Sequence, residues 1–149
     1  MSRVPELIDA LVAALRADEG LAGVVVTDGP EVTAGAVPDW IVVGFDGDGD
    51  GDFQAASSVQ DWASLGTDRT EQFQLTVAVI ALRGDTDVKA ARDRVYALAA
   101  PVRALLWADP SLGLPSLQVG VGAAQLSQVQ TEQGVQAVLL LTLAGEAFT

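Results

Sequence analysis

The chain has 149 residues, of which half are apolar and 19% charged, a balance that favours one folded domain with a real core over a disordered chain. It contains no cysteine and no histidine, which excludes disulfides, thiolate and imidazole metal sites, cysteine nucleophiles and a Ser-His-Asp triad. The formal net charge of −12 argues against a broad nucleic-acid-binding surface.

That charge is uneven. Between Asp28 and Glu71 stand ten acids and one base, Arg69. Residues 85–109 hold four of each. No apolar run approaches the roughly 20 residues that span a bilayer. The opening stretch carries Glu6 and Asp9 inside its apolar segment and lacks the form of a signal peptide, so an intracellular origin is expected.

Residues 4–18 place Val4, Leu7, Ile8, Leu11, Val12 and Leu15 at helical spacing, which predicts an amphipathic helix with Ser2 as its cap and Pro5 in its first turn. The β-branched run at 23–30 and the segment 39–45 predict two strands. Four aspartates follow at every second position: Asp46, Asp48, Asp50 and Asp52, separated by glycines. A mobile acidic loop is expected over about 46–69.

Residues 70–84 predict the clearest strand. Phe73, Leu75, Val77, Val79 and Ala81 share one face. The other face changes from Gln72, Gln74 and Thr76 to Ala78, Ile80 and Leu82. One end should therefore be solvated or in an interface, the other covered on both sides.

Residues 84–110 predict a long helix capped by Thr86 or Asp87, with an apolar stripe from Val88 through Leu105 and a kink near Ala97 imposed by Pro101. Strands at 117–131 and 134–148 close the chain as a hairpin turning through 131–134, where Gly134 can take a positive φ. The order is α-β-β-loop-β-α-β-β. It gives a single α+β domain over 1–149: a mostly antiparallel sheet with the N-terminal helix and one long kinked helix packed on one face.

Candidate chemistry is sparse. Asp46, Asp48, Asp50 and Gly51 match positions 1, 3, 5 and 6 of an EF-hand loop, but position 12 is Ser57, not glutamate. A solvated glycine-rich loop is the simpler reading, and a catalytic carboxylate pair would need rigid, partly buried placement. No catalytic, cofactor or metal site is assigned. Arg92, Arg94 and Arg103 suit either an anionic ligand or, more simply, a solvated or subunit-contacting face. Core packing is expected for Trp40 and Trp107. Trp62 sits in a polar context and either folds back or meets a partner.

The N-terminal amphipathic helix, "RTEQFQLTVAVIALRGDTD" running into "VKAARDRVYALAAPVRALLWADPSLGLP", and the closing "QTEQGVQAVLLLTLAGEAF" together resemble the tail terminator (tail completion) proteins of long-tailed bacteriophages. The likeness lies in element order and texture over nearly the whole chain. It implies a structural virion protein, made in the host cytoplasm and without enzyme activity or cofactor. Such a protein forms a hexameric ring on the head-proximal end of the tail tube. The ring ends tube polymerisation and joins the tail to the head connector, with DNA passing through its centre.

Related head–tail connector (neck) proteins share a similar plan. Under this resemblance Asp46, Asp48, Asp50, Asp52 and Trp62 are candidate lumen or assembly residues. Gln72, Gln74, Thr76, Gln125, Gln128 and Gln130 offer uncharged polar surface for subunit contacts. Expected partners are further copies of the chain, the tail tube protein and the connector, with DNA only in transit and no membrane. The competing class is a monomeric, divalent-cation-dependent binding module built on the Asp-Gly stretch.

Overall fold

A computed structural model describes residues 2–29, 38–45, 54–62, 68–132 and 134–149. The fold is mixed α+β: two α-helices and an open, mostly antiparallel six-stranded sheet. In chain order the elements are α1 (Val4–Ala17), a short 3-10 turn (Glu19–Leu21), β1 (Val25–Asp28), β2 (Asp39–Val43), β3 (Ala56–Trp62), β4 (Arg69–Arg83), α2 (Val88–Ala108), β5 (Leu117–Thr131) and β6 (Gly134–Phe148). Along the sheet the order is β1-β2-β4-β6-β5, with β3 paired to β4 beside this path. Only β1 and β2 run parallel.

The sheet is organised around β4 and β6, paired antiparallel from Thr70↔Phe148 to Arg83↔Val135. Their alternation sends Phe73, Leu75, Val77, Val79 and Ala81 to the same side as Val135, Ala137, Leu139, Leu141 and Leu143, all buried. Both helices cover this side. Leu7, Leu11 and Leu15 from α1 and Ala91, Val95, Leu98, Ala99, Val102 and Leu106 from α2 complete one continuous core. Each fully buried large aliphatic side chain contributes about 1.5–3 kcal/mol.

The outer face of β4 changes character as its sequence demands. Gln72 and Gln74 are exposed, Thr76 is half-buried, and Ala78 and Ile80 are buried. The buried end forms a second, smaller apolar cluster with Val42 and Phe45, flanked by Trp40, Val138 and Leu140.

Several expectations need correction. Residues 56–62 were expected within a loop, yet they form β3, in register with β4 from Ala56↔Leu75 to Trp62↔Arg69. Its pull is the backbone ladder, since apart from the half-buried Ala56 and Gln60 its side chains are exposed. β2 pairs only with Val77–Ala81 on that edge of β4, so β3 satisfies the amides and carbonyls beyond. Arg3, not Ser2, occupies the N-cap position of α1, although the Ser2 hydroxyl accepts from the Val4 N–H at 3.1 Å. Of the two cap candidates for α2, Asp87 takes the role, accepting from the Ala90 N–H at 3.0 Å. α2 continues as helix through Pro101. Val88, placed in its apolar stripe from sequence, is exposed, and Leu106 is buried where Leu105 is only half-buried. Among the described residues no helix is long and apolar enough to cross a membrane.

Two glycines are required by close approach. At Gly134 φ is +118°, and a Cβ there would lie 1.9 Å from the Arg83 carbonyl oxygen. At Gly145 a Cβ would lie 2.0 Å from the Gln118 carbonyl oxygen and 2.8 Å from Phe73. Gly145→Ala is therefore expected to cost on the order of 3 kcal/mol, because β5 must shift away from β6. Gly120→Ala, with nothing within 4 Å of the added carbon, should stay within about 0.5 kcal/mol of the parent. Urea unfolding of the two variants checks both.

Candidate assembly surface

Three of the six polar candidates lie where the alternation places them. Gln72, Gln74 and Thr76 lie on the sheet face away from the helices, as does Gln125, which reaches this face through a bulge in β5. Register shifts between Val121 and Ala123, leaving Gly122 as the extra residue. Before the bulge, Leu117 and Val119 face the core; after it, the even-numbered Leu126 packs against the core. Gln125, opposite Leu140, thus points outward, whereas Gln128 and Gln130, opposite Ala137 and Val135, lie on the helix side. The Gln128 amide donates to the Val88 carbonyl at 2.9 Å, tying β5 to the start of α2. The Gln130 amide reaches the Thr131 carbonyl at 3.5 Å. The glutamine group proposed from sequence is therefore split between two faces. The odd position of Gln125 against the even positions of Gln128 and Gln130 was the signal that could have shown it.

The outer face gains residues that the sequence reading missed. Val59 and Ser57 of β3 stand opposite Gln72 and Gln74. Glu146, Ala144 and Thr142 of β6 stand on the other side. A shallow depression of about 560 Å³ opens here, lined by Ser57, Val59, Gln72, Gln74, Ala144 and Glu146 among others. Its floor carries the single acid Glu146.

Trp62 ends β3 with 61% of its surface exposed, and the Arg69 guanidinium stacks 4.3 Å from its ring centre. Such a pair contributes roughly 0.5–1 kcal/mol at an exposed site. Asp46, Asp48, Asp50 and Asp52 lie outside the described residues. Trp40 is half-buried, donating from its indole N–H to the Thr27 hydroxyl at 3.0 Å. Trp107, expected in the core, is 90% exposed: it follows Leu106, and one residue further round the helix turns it away from the apolar stripe. Arg94 is not available to a ligand, because it pairs at 2.9 Å with Asp39, which Arg83 also reaches at 3.2 Å. This clamp joins α2, β2 and β4.

Among the described residues the one fully buried acid is Glu71, on the helix side of β4. Burial by itself raises its carboxyl pKa. Hydrogen bonds from the Ser2 hydroxyl, the Arg3 N–H at 2.7 Å, the Gln60 amide and the Ser58 hydroxyl outweigh burial and hold it below the ordinary value. Arg3 itself spans to the Phe148 and Pro115 carbonyls, each at 2.9 Å. Glu71 thus fastens the start of α1 to β3 and β4, a structural use of a carboxylate. Among the described residues no three acidic side chains converge on a metal-sized site. No protein-family model matches the chain, and no curated protein matches it.

Because the folded pKa of Glu71 is lowered, its contribution is present above the ordinary glutamate value of 4.5 and is lost as pH falls through the folded value. The wild-type chain should therefore lose stability more steeply than Glu71→Gln as pH falls below 4.5, with Glu71→Gln the less stable at pH 7. Urea midpoints measured across that range for both proteins check the sign.

Proposed function

We propose that the chain is a structural protein of a long-tailed phage virion, a tail terminator that assembles as a hexameric ring on the head-proximal end of the tail tube. In this reading it stops tube growth and joins the tail to the head connector, and it performs no catalysis. The sequence likeness described above supports it, together with a fold in which both helices crowd one face of the sheet.

The observation that carries the reading is the exposed outer face. Gln72, Gln74, Gln125 and Val59 offer uncharged, partly apolar surface in a chain of net charge −12. A surface poor in charge is inexpensive to desolvate against another protein. The acidic stretch at 46–52 completes the reading, since negative charge lining a conduit repels phosphate and lets DNA slide. Neck proteins of similar plan are the neighbouring reading, and location in the particle separates the two.

Electron microscopy of assembled tails, with the protein located by a bound antibody fragment, tests the assignment. The expected density is a ring at the head-proximal end of the tube. Density elsewhere in the particle, or no particle association, would overturn it. Gln74→Arg with Thr76→Arg should leave the melting temperature within a few degrees of the parent while lowering the yield of finished tails at least tenfold.

A further inference from the structure

We infer that β3 is a releasable strap: it lifts off β4 as a unit while the rest of the sheet stays folded, and the Glu71 carboxylate is its latch. The inference concerns the free chain and does not rest on the assembly reading above.

β2 and β3 share one edge of β4 but are held there by different means. β2 buries Ile41, Val42 and Val43, so it cannot leave without opening both apolar clusters. β3 buries none of its seven residues. Ala56 and Gln60 are half-buried, and Ser57, Ser58, Val59, Asp61 and Trp62 are exposed. Among the described residues β3 has no strand on its other side. A segment with few buried apolar contacts and one strand partner lies at the low-stability end of a fold and opens locally.

Three things keep β3 in place: its backbone ladder, the Arg69–Trp62 stack at its end, and Glu71. Ser58 and Gln60 stand on the helix side, where the hydroxyl and the amide donate to the Glu71 carboxylate. The same carboxylate accepts from the Ser2 hydroxyl and the Arg3 N–H. α1 has no side-chain cap of its own, so a carboxylate of β4 serves its first turn and the strap together. Lifting β3 removes two donors from Glu71 but opens that side to water, which replaces them. The donors from α1 stay. Release therefore leaves no buried charge unpaired, which keeps its cost low.

The strap also shapes the outer face. Ser57, Ser58 and Val59 form one wall of the depression that Gln72, Gln74, Ala144 and Glu146 complete. That surface is whole only while β3 is closed, so the latch sets how often it is presented.

The ladder supplies its own control. The Thr76 N–H donates to the Ala55 carbonyl at 3.0 Å, and the Thr149 N–H donates to the Arg69 carbonyl at 2.9 Å. Antiparallel alternation then turns the N–H groups of Gln72 and Gln74 toward β3, and those of Phe73 and Leu75 toward β6. Adjacent amides of one strand thus report on different partners.

The test is amide hydrogen exchange of the full chain, followed by NMR at several urea concentrations below unfolding. Gln72 and Gln74 should exchange roughly a hundredfold or more faster than Phe73 and Leu75, with little dependence on urea, because lifting β3 exposes little surface. Equal rates with equal urea dependence would mean that β3 leaves only when the whole molecule unfolds, and would overturn the inference. Glu71→Gln keeps the side-chain shape and removes the charge. It should quicken Gln72 and Gln74 roughly tenfold more than Phe73 and Leu75. A uniform increase at all four amides would make Glu71 a stabiliser of the whole fold and overturn its role as latch. If that variant fails to fold, Ser58→Ala with Gln60→Ala removes the latch contacts from the strap side, and the same two outcomes decide. Exchange is read on the isolated chain, so its result stands apart from that of tail microscopy.

Discussion

The pairing of β4 with β6 is the constraint on which the rest of the molecule depends. It runs from Thr70↔Phe148 to Arg83↔Val135 and places two long apolar rows side by side on one face. Those rows are the floor on which α1 and α2 rest. They also fix the outer face, because every residue that is not floor must point the other way. Gly145 and Gly134 show how little slack the arrangement has: at each, one added carbon would collide with backbone. The pairing is long-range, so the chain must bring residues far apart in sequence together before the core can form. That pairing should make it a slow folder by the contact-order trend.

Much of this was legible in the residues. The alternation of β4, including its change from glutamine to alanine and isoleucine on the outer side, matched its burial except at Leu82, which is only half-buried. The hairpin boundaries at Leu117–Thr131 and Gly134–Phe148 followed from apolar alternation and one glycine. β3 was hidden because it is built from small and polar residues, and its reason for existing is the unpaired edge of β4. Only an accounting of backbone hydrogen bonds along a long strand beside a short one could have exposed it. Gln125, Gln128 and Gln130 were grouped as one polar surface, but the odd position of the first and the even positions of the others put them on opposite faces, and the bulge at Gly122 decides which parity faces inward. Trp107 was misread because an apolar residue at a helix end was taken as core, when the stripe had already ended one residue earlier.

The candidate surface follows from this frame. Helices occupy one face, which leaves the outer face and the edges open to the proposed assembly. The outer face is polar but almost uncharged near Gln72 and Gln74. Both edges carry mixed charge: Arg16 and Arg69 stand near Asp28, Asp61 and Asp68, and Asp109 and Glu132 stand near Arg92 and Arg103. Glu71 adds a second kind of fastening within each copy. A buried carboxylate holds the first turn of α1 against β3 and β4, so the strand that presents Val59 and Trp62 is anchored from beneath.

The bulge at Gly122 has a consequence for how such a chain can change over time. It separates β5 into a root that reads its inward side chains at odd positions and a tip that reads them at even ones. A residue gained or lost at the bulge would re-phase the tip alone and leave the root, with its grip on Gly145 and Pro110, where it was. The glutamines and the apolar residues of the tip would then trade faces in a single step. Gly122 acts as a phase shifter, letting the free end of the hairpin be rewritten while the rest of the sheet keeps its register.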